Sequence, residues 1–255
     1  MRNLRLLIEY DGVAFSGWQF QVGGRTVEGE LRRAIRELVG EEPRLQAAGR
    51  TDAGAHAEGQ VVNFSYPGRL GPERVRAALN ARLPPDVVVL EVEDAPLDFH
   101  ARYSARWRRY RYRYLDRPVR PALDRGRCWH LRDRLDVEAM AEAARGLVGR
   151  HDWTTFCSAV EPPRGRVRTM REARVVREGR FVDLHVCAEG FLRGQVRSIA
   201  GALAEVGRGR RPPGWLGEIL AARDRRLAPR TAPAAGLTLV AVVYDDRSPD
   251  EGEDG

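Results

Sequence analysis

Two hydrophobic periodicities succeed each other along this chain in an order that few folds accept. Leu4, Leu6 and Ile8 alternate within Asn3 to Tyr10, which reads as a strand ending in a turn at Asp11-Gly12. Val27, Leu31, Ile35 and Leu38 recur at helical spacing, and Gly40 stops the run. Arg44 to Ala48 is a short strand, Gly49 to Gly59 a turn-rich loop and Gln60 to Tyr66 a clear strand. Pro72 opens a helix carrying Val75, Ala78, Leu79 and Leu83, and Asp86 to Glu93, with its unbroken apolar run from Val87 to Leu90, is a buried strand. The resulting order, β-α-β-β-α-β, is the split βαβ of ferredoxin-like and RNA-recognition domains.

The remainder repeats that order with longer connections. Arg106 to Leu115 is a strand, and Asp136 caps a helix with Val137, Met140, Ala144 and Leu147 that runs up to Gly149. Arg168 to Arg177 and Phe181 to Glu189 are strands around the Glu178-Gly179 turn. Phe191 to Val206 and Pro213 to Ala222 are helices, and Leu237 to Tyr244 is a closing strand. The repeat is one of element order, not of residue identity. The expected class is α+β, with two ferredoxin-like halves at 1–104 and 105–245. From Asp245 onward there are six carboxylates and one Arg, so 246–255 is expected to be a disordered acidic tail. Without that stretch the formal charge rises from +7 to about +12.

Charge chemistry narrows the function. All 43 basic residues are Arg. Without Lys there is no Walker lysine for a nucleotide phosphate and no Schiff base for a carbonyl substrate. Arg binds phosphate through a planar fork and stacks on bases, which suits RNA. The cysteines at 128, 157 and 187 make neither a disulfide framework nor a zinc spacing, and the five histidines are scattered. No bound metal and no cofactor are expected. Met1 to Arg5 lead directly into the first strand without a signal-type apolar region, and no stretch approaches membrane-spanning length. The expected location is the cytoplasm.

Three segments concentrate chemistry. Gly49-Arg50-Thr51-Asp52-Ala53-Gly54-Ala55-His56-Ala57 places a cation, a hydroxyl, a carboxylate and an imidazole in a loop longer than a hairpin needs. His56 reads either as a base or as a local hydrogen-bonding group. From Arg106 to Tyr114, alternation sets Tyr110, Tyr112 and Tyr114 on one strand face and Arg109, Arg111 and Arg113 on the other. That pattern serves either a stacking surface for RNA or a tyrosine core with solvated arginines. Arg102 to Arg134 holds twelve Arg against three Asp, a balance of +9 that favours a polyanion nearby. In a helix from Phe191, Arg193 and Arg197 share one face while Phe191, Val196 and Ile199 turn inward. A buried Arg197 needs a carboxylate partner.

These segments, with several others, resemble the tRNA pseudouridine synthase A family over nearly the whole length. The resemblance rests on Tyr10-Asp11-Gly12 with Gly17-Trp18-Gln19, the Gly49 to His56 loop, and Gly59-Gln60-Val61-Val62. It continues through Asp98-Phe99-His100-Ala101-Arg102, Arg109-Tyr110-Arg111-Tyr112, Asp152-Trp153 with Phe156, and Arg168-Thr169. Phe191-Leu192 with Val196-Arg197, and Gly236-Leu237, complete it. It implies isomerisation of uridine to pseudouridine at positions 38–40 of the tRNA anticodon arm. It also implies one long, mostly antiparallel sheet with a central cleft, and a homodimer. By resemblance Asp52 is the catalytic carboxylate, Tyr110 stacks on the target base, Arg197 pairs with Asp52, and Arg50 acts near the flipped nucleotide. Arg193-Gly194-Gln195 departs from a stretch often rich in aromatic, His and Met residues, and Glu28 replaces a frequent Gln.

The reaction fits the composition. Moving the glycosidic bond from nitrogen to carbon needs a nucleophile or base but no redox partner. The rival reading is a catalytically silent RNA-binding protein of two recognition-type domains, which explains the fold and the Arg/Tyr strand but not the Asp-bearing loop. A metal-dependent nuclease ranks lower, because Asp11, Asp52 and Asp98 are isolated in the sequence.

Overall fold

A computed structural model of the chain describes residues 1–162 and 164–245. The expected tail, 246–255, lies outside the described residues. The first part contains β1 (Arg2–Tyr10), α1 (Val27–Val39), β2 (Gln46–Ala47), β3 (His56–Tyr66), α2 (Pro72–Asn80) and β4 (Val87–Ala95). Thr26 starts α1 by accepting the Gly29 N–H at 3.2 Å, and Leu31, Ala34 and Ile35 turn its apolar stripe inward. The second part contains β5 (Trp107–Asp116), β6 (Trp129–Leu131), α3 (Val137–Arg145), β7 (Gly149–Asp152), β8 (Val167–Glu178) and β9 (Phe181–Ala188). It closes with α4 (Gln195–Gly207), α5 (Trp215–Ala222) and β10 (Leu237–Val243). Asp136 caps α3 by accepting the Ala139 N–H.

All ten strands form one sheet in the order β4-β1-β3-β10-β5-β9-β8-β7, with β2 on β3 and β6 on β5. Only β10–β3 and β5–β6 run parallel among the described residues, so the molecule is α+β with a large, mostly antiparallel sheet. The two parts meet where β10, the last strand, lies against β3 of the first. Register carries one row of side chains across that seam: Tyr10 faces Ala57, Ala57 faces Leu239, Leu239 faces Tyr110 and Tyr110 faces Val186. Residues in register share a face, so Tyr10 and Tyr110 stand on the same side of the sheet. That side is the one covered by helices. Leu4, Leu6 and Ile8 pack there with Leu31 and Ile35, as do Tyr112 and Tyr114 with Met140, Ile199 and Leu203.

The structure departs from the sequence expectations at several boundaries. β3 begins at His56 instead of Gln60, because β1 and β10 supply ladder partners on both sides of Ala57. No local propensity in His56-Ala57-Glu58-Gly59 announces that pairing. α3 ends at Arg145 and α2 at Asn80, short of Leu147 and Leu83. Gly149–Asp152, expected only as a helix stop, forms β7 against β8. α4 starts at Gln195 and not at Phe191: Gly194 has φ +71°, outside helical space, so Phe191 to Arg193 belong to the turn before the helix. Arg193 and Arg197 therefore do not share a helical face.

Candidate active site

The loop between β2 and β3 is held from every side by groups that sequence places far away. Trp18 N–H donates to Thr51 O at 3.1 Å, and Gly54 N–H donates to Phe15 O at 3.2 Å. The Tyr10 and Thr51 hydroxyls are 2.7 Å apart, and Gln60 Nε2 donates to Gly49 O at 2.9 Å. Asp52 O accepts the Ala55 N–H, closing a turn that brings the carboxylate forward. Gly12 makes the close approach possible, since a Cβ there would lie 1.8 Å from Ala55 O. His56 is a fastening and not a base: its Nδ1 accepts the Gly12 N–H at 3.1 Å, which leaves Nε2 to donate to Gly126 O at 2.8 Å.

Asp52 and Arg197 come from opposite sides of the seam and meet at 2.6 Å, Nη1 to Oδ2. Each side chain keeps about a quarter of its surface open, 25 % for Asp52 and 23 % for Arg197. The Arg197 Nε donates to Ala232 O at 2.8 Å, and Ala232 N–H donates back to Arg197 O, so the guanidinium is aimed by α4 and the 232 segment together. One Asp52 oxygen, Oδ1, is left without a side-chain donor among the described residues. A carboxylate gripped by a guanidinium on one side and open on the other can act as a nucleophile or a base.

Tyr110 is buried beside this pair. Its ring meets Phe191 edge-on, 5.1 Å between centroids at 83°. Burial pushes its hydroxyl up to about 12, with the Arg108 charge opposing the shift and the Asp52 charge adding to it. Tyr112 and Tyr114 pack in the core, although the Arg197 charge reaches the Tyr112 hydroxyl. Both are fully buried, and their hydroxyls donate to Pro233 O and Ala200 O at 2.8 Å. For these two the core reading of the alternating strand holds. Arg50 is exposed at the mouth of the loop, with no side-chain partner among the described residues.

The arginine excess around β5 is partly neutralised by acids from elsewhere. Arg111 pairs with Glu58 and Arg113 with Asp183, each at 2.5 Å, and Arg127 pairs with Asp11 at 2.9 Å. Glu178, Asp183 and His185 bring possible metal-ligand atoms within 4.8 Å of one another, but the Arg113 fork already occupies the Asp183 carboxylate. Arg193 is exposed, and its backbone N–H donates to Glu161 Oε1. Sequence reasoning overlooked Arg108, although strict alternation places it on the face of Tyr110. Tyr10, Thr51 and Gln60 stood in the quoted motifs without a role, and their contact with the loop becomes visible only in three dimensions.

An acid–arginine pair at the seam of one sheet, beside a buried tyrosine and the exposed Arg50, is the arrangement of an enzyme site. Residues 6–104 and 143–245 match the tRNA pseudouridine synthase family, and the chain belongs to that family. The tRNA pseudouridine synthase A of Geobacillus kaustophilus is 46 % identical over 247 residues, covering 96 % of this chain and 95 % of that one. Those of Moorella thermoacetica (46 % over 246 residues) and Caulobacter vibrioides (45 % over 247) each match 96 % of this chain and 100 % of their own. Among solved structures, a chain from a Cbf5-Nop10-Gar1 complex aligns with a TM-score of 0.33 at 13 % identity. That alignment covers 78 % of this chain and 54 % of the other. No helix of the described residues is long and apolar enough to cross a membrane.

Proposed function

We propose that this enzyme isomerises uridine to pseudouridine at positions 38–40 of the tRNA anticodon arm, with Asp52 as the essential ionised carboxylate. The observation that carries the reading is the 2.6 Å contact between Asp52 and Arg197 across the seam, which leaves the other carboxylate oxygen without a side-chain donor among the described residues. In the reaction the bond from the sugar carbon to uracil nitrogen 1 breaks, the base rotates, and a bond to carbon 5 forms. The hydrogen on carbon 5 leaves as a proton and nitrogen 1 takes one up, so the product is an isomer of the substrate. No electrons are exchanged with a partner and no water is consumed, so Asp52 supplies the reacting oxygen and Arg197 holds and aims it.

The target base must leave its stack to reach Asp52, at a cost of a few kcal/mol. Tyr110 stacks on that base, and the exposed Arg50 contacts the backbone of the flipped nucleotide. The two halves, 1–104 and 105–245, act as ferredoxin-like units. The local strand orders β4-β1-β3-β2 and β10-β5-β9-β8 support that reading. The working form is a cytoplasmic homodimer that needs no cofactor.

The test is release of tritium from tRNA carrying 5-tritiated uridine, without added metal or cofactor. Wild type releases it and Asp52→Asn does not. Release by both removes Asp52 from the mechanism. No release by a folded wild type that binds tRNA reduces the protein to an RNA-binding module.

A further inference from the structure

Arg108 stands two residues before Tyr110 on β5 and shares its face of the sheet, with 9 % of its surface exposed. Its guanidinium donates four hydrogen bonds, every one to a main-chain carbonyl. Nη1 reaches Ala105 O at 3.0 Å and Glu189 O at 2.6 Å, while Nη2 reaches Ala48 O at 3.2 Å and Arg102 O at 2.6 Å. No carboxylate pairs with it among the described residues; burial weakens its hold on the proton, and the neighbouring Arg102 charge adds to that. A buried cation without a counter-charge is an expensive way to hold a turn together. What an arginine offers in return is a rigid planar fork that bonds several carbonyls at fixed angles.

The destinations of those carbonyls give the fork its meaning. Ala48 immediately precedes the loop that carries Asp52. Glu189 ends the approach from β9 to Phe191 and Arg197. Arg102 and Ala105 belong to the connection between β4 and β5, where the chain passes from one half to the other. One side chain thus fastens the approach to Asp52, the approach to Arg197 and the crossover between them.

We infer that Arg108 is a positioning residue: it sets the separation of Asp52 and Arg197 by tying both of their supporting segments to β5. The inference rests on the reading of Asp52 as the catalytic carboxylate. Arg108 touches no reacting atom, and its effect passes through the Asp52–Arg197 pair. Lysine keeps the charge at this position but replaces the planar fork with a compact ammonium, so it cannot span the same carbonyls.

The experiment is steady-state tritium release by wild type, Arg108→Lys, Arg197→Lys, the double variant and Asp52→Asn, with thermal unfolding of each. Arg108→Lys should lower kcat on the order of tenfold to a hundredfold, the range a misplaced catalytic geometry produces, with KM for tRNA within about threefold of wild type. In the Arg197→Lys background the same substitution should cost less than about threefold more, because the geometry it maintains is already lost. Equal losses in both backgrounds would make Arg108 an independent structural residue and overturn the inference. So would a raised KM at unchanged kcat, or full activity with lysine. If Arg108→Lys does not fold, Arg108→Gln takes its place in the same comparison. Activity in Asp52→Asn would sink the site reading itself, whereas an inactive Asp52→Asn beside additive Arg108 losses would sink only the positioning role.

Discussion

Tyr110 illustrates how burial restricts what a residue can do in the reaction. With its hydroxyl pushed up to about 12, it stays protonated through the neutral and mildly alkaline range, so it is not a standing tyrosinate base. Its expected contribution is the ring. Tyr110→Phe should keep kcat within about tenfold of wild type and leave the pH–rate profile unchanged between about pH 6 and 10, since no Tyr110 ionisation falls there. Tyr110→Ala should lose much more, because both the stacking surface and the edge-on contact with Phe191 disappear. Single-turnover rates across that pH range decide the matter, and a collapse of the Phe variant would put the hydroxyl into the chemistry.

Among the elements, the Asp52 loop depends on close contact between its backbone and the turn after β1. A methyl group at position 12 would have to displace Ala55 O, a backbone atom on the last turn of that loop. Gly12→Ala should cost about 2–3 kcal/mol in stability, the scale of overpacking a tight contact, and should lower activity by moving Asp52. Denaturant midpoints together with tritium release measure both effects. The strand β5 ends in a comparable fastening at Asp116. Burial pushes that carboxyl up, but the Arg177 fork at 2.9 and 2.7 Å and the Leu135 N–H outweigh it and hold it below the ordinary carboxylate range. A carboxyl lowered in the folded state contributes stability above about pH 4, and that contribution fades as the pH falls through its folded value. Asp116→Asn should therefore cost about 2–3 kcal/mol at neutral pH, less than for a wholly buried pair because Arg177 is partly open, and its deficit should shrink in acid. Urea unfolding at pH 7 and pH 3 tests this.

For the whole molecule, the helix-covered face holds several tyrosines with hydroxyls raised by burial, Tyr10, Tyr112 and Tyr114 among them. A group whose value is raised on folding stabilises the native state below its unfolded value, here about 10, and loses that contribution as the pH climbs above it. The protein should thus hold a level stability through mild alkali and weaken steeply beyond about pH 10. Thermal unfolding followed from pH 8 to about 11 would show it. Arginines along the rim make a second expectation at this scale. Binding of tRNA should weaken steeply with salt, since displaced counterions set much of the affinity for a polyanion. Titrations at several salt concentrations should give a clear negative slope, and a flat response would contradict arginine contacts to the tRNA phosphates.

What the sequence determined by itself was the order of elements and the chemistry of the key side chains. Alternation in Asn3 to Tyr10, helical spacing from Val27 to Leu38 and the cap at Asp136 are local signals, readable because each element buries its own apolar stripe. The pairing of the embedded Asp52 with Arg197 was legible through motif resemblance, and the 2.6 Å contact bears that pairing out. Tertiary structure decided everything that depends on a partner far along the chain. His56 joins β3 only because β10 arrives beside it, and β7 exists only against β8. Tyr112 and Tyr114 became core and Tyr110 the wall of a site according to what packs on each, a difference invisible in a regular Arg/Tyr repeat. Asp52 and Arg197, 145 residues apart, meet because the last strand closes the sheet between them. Long-range pairing carries no local periodicity, and so the seam that makes the site had to be seen in the fold.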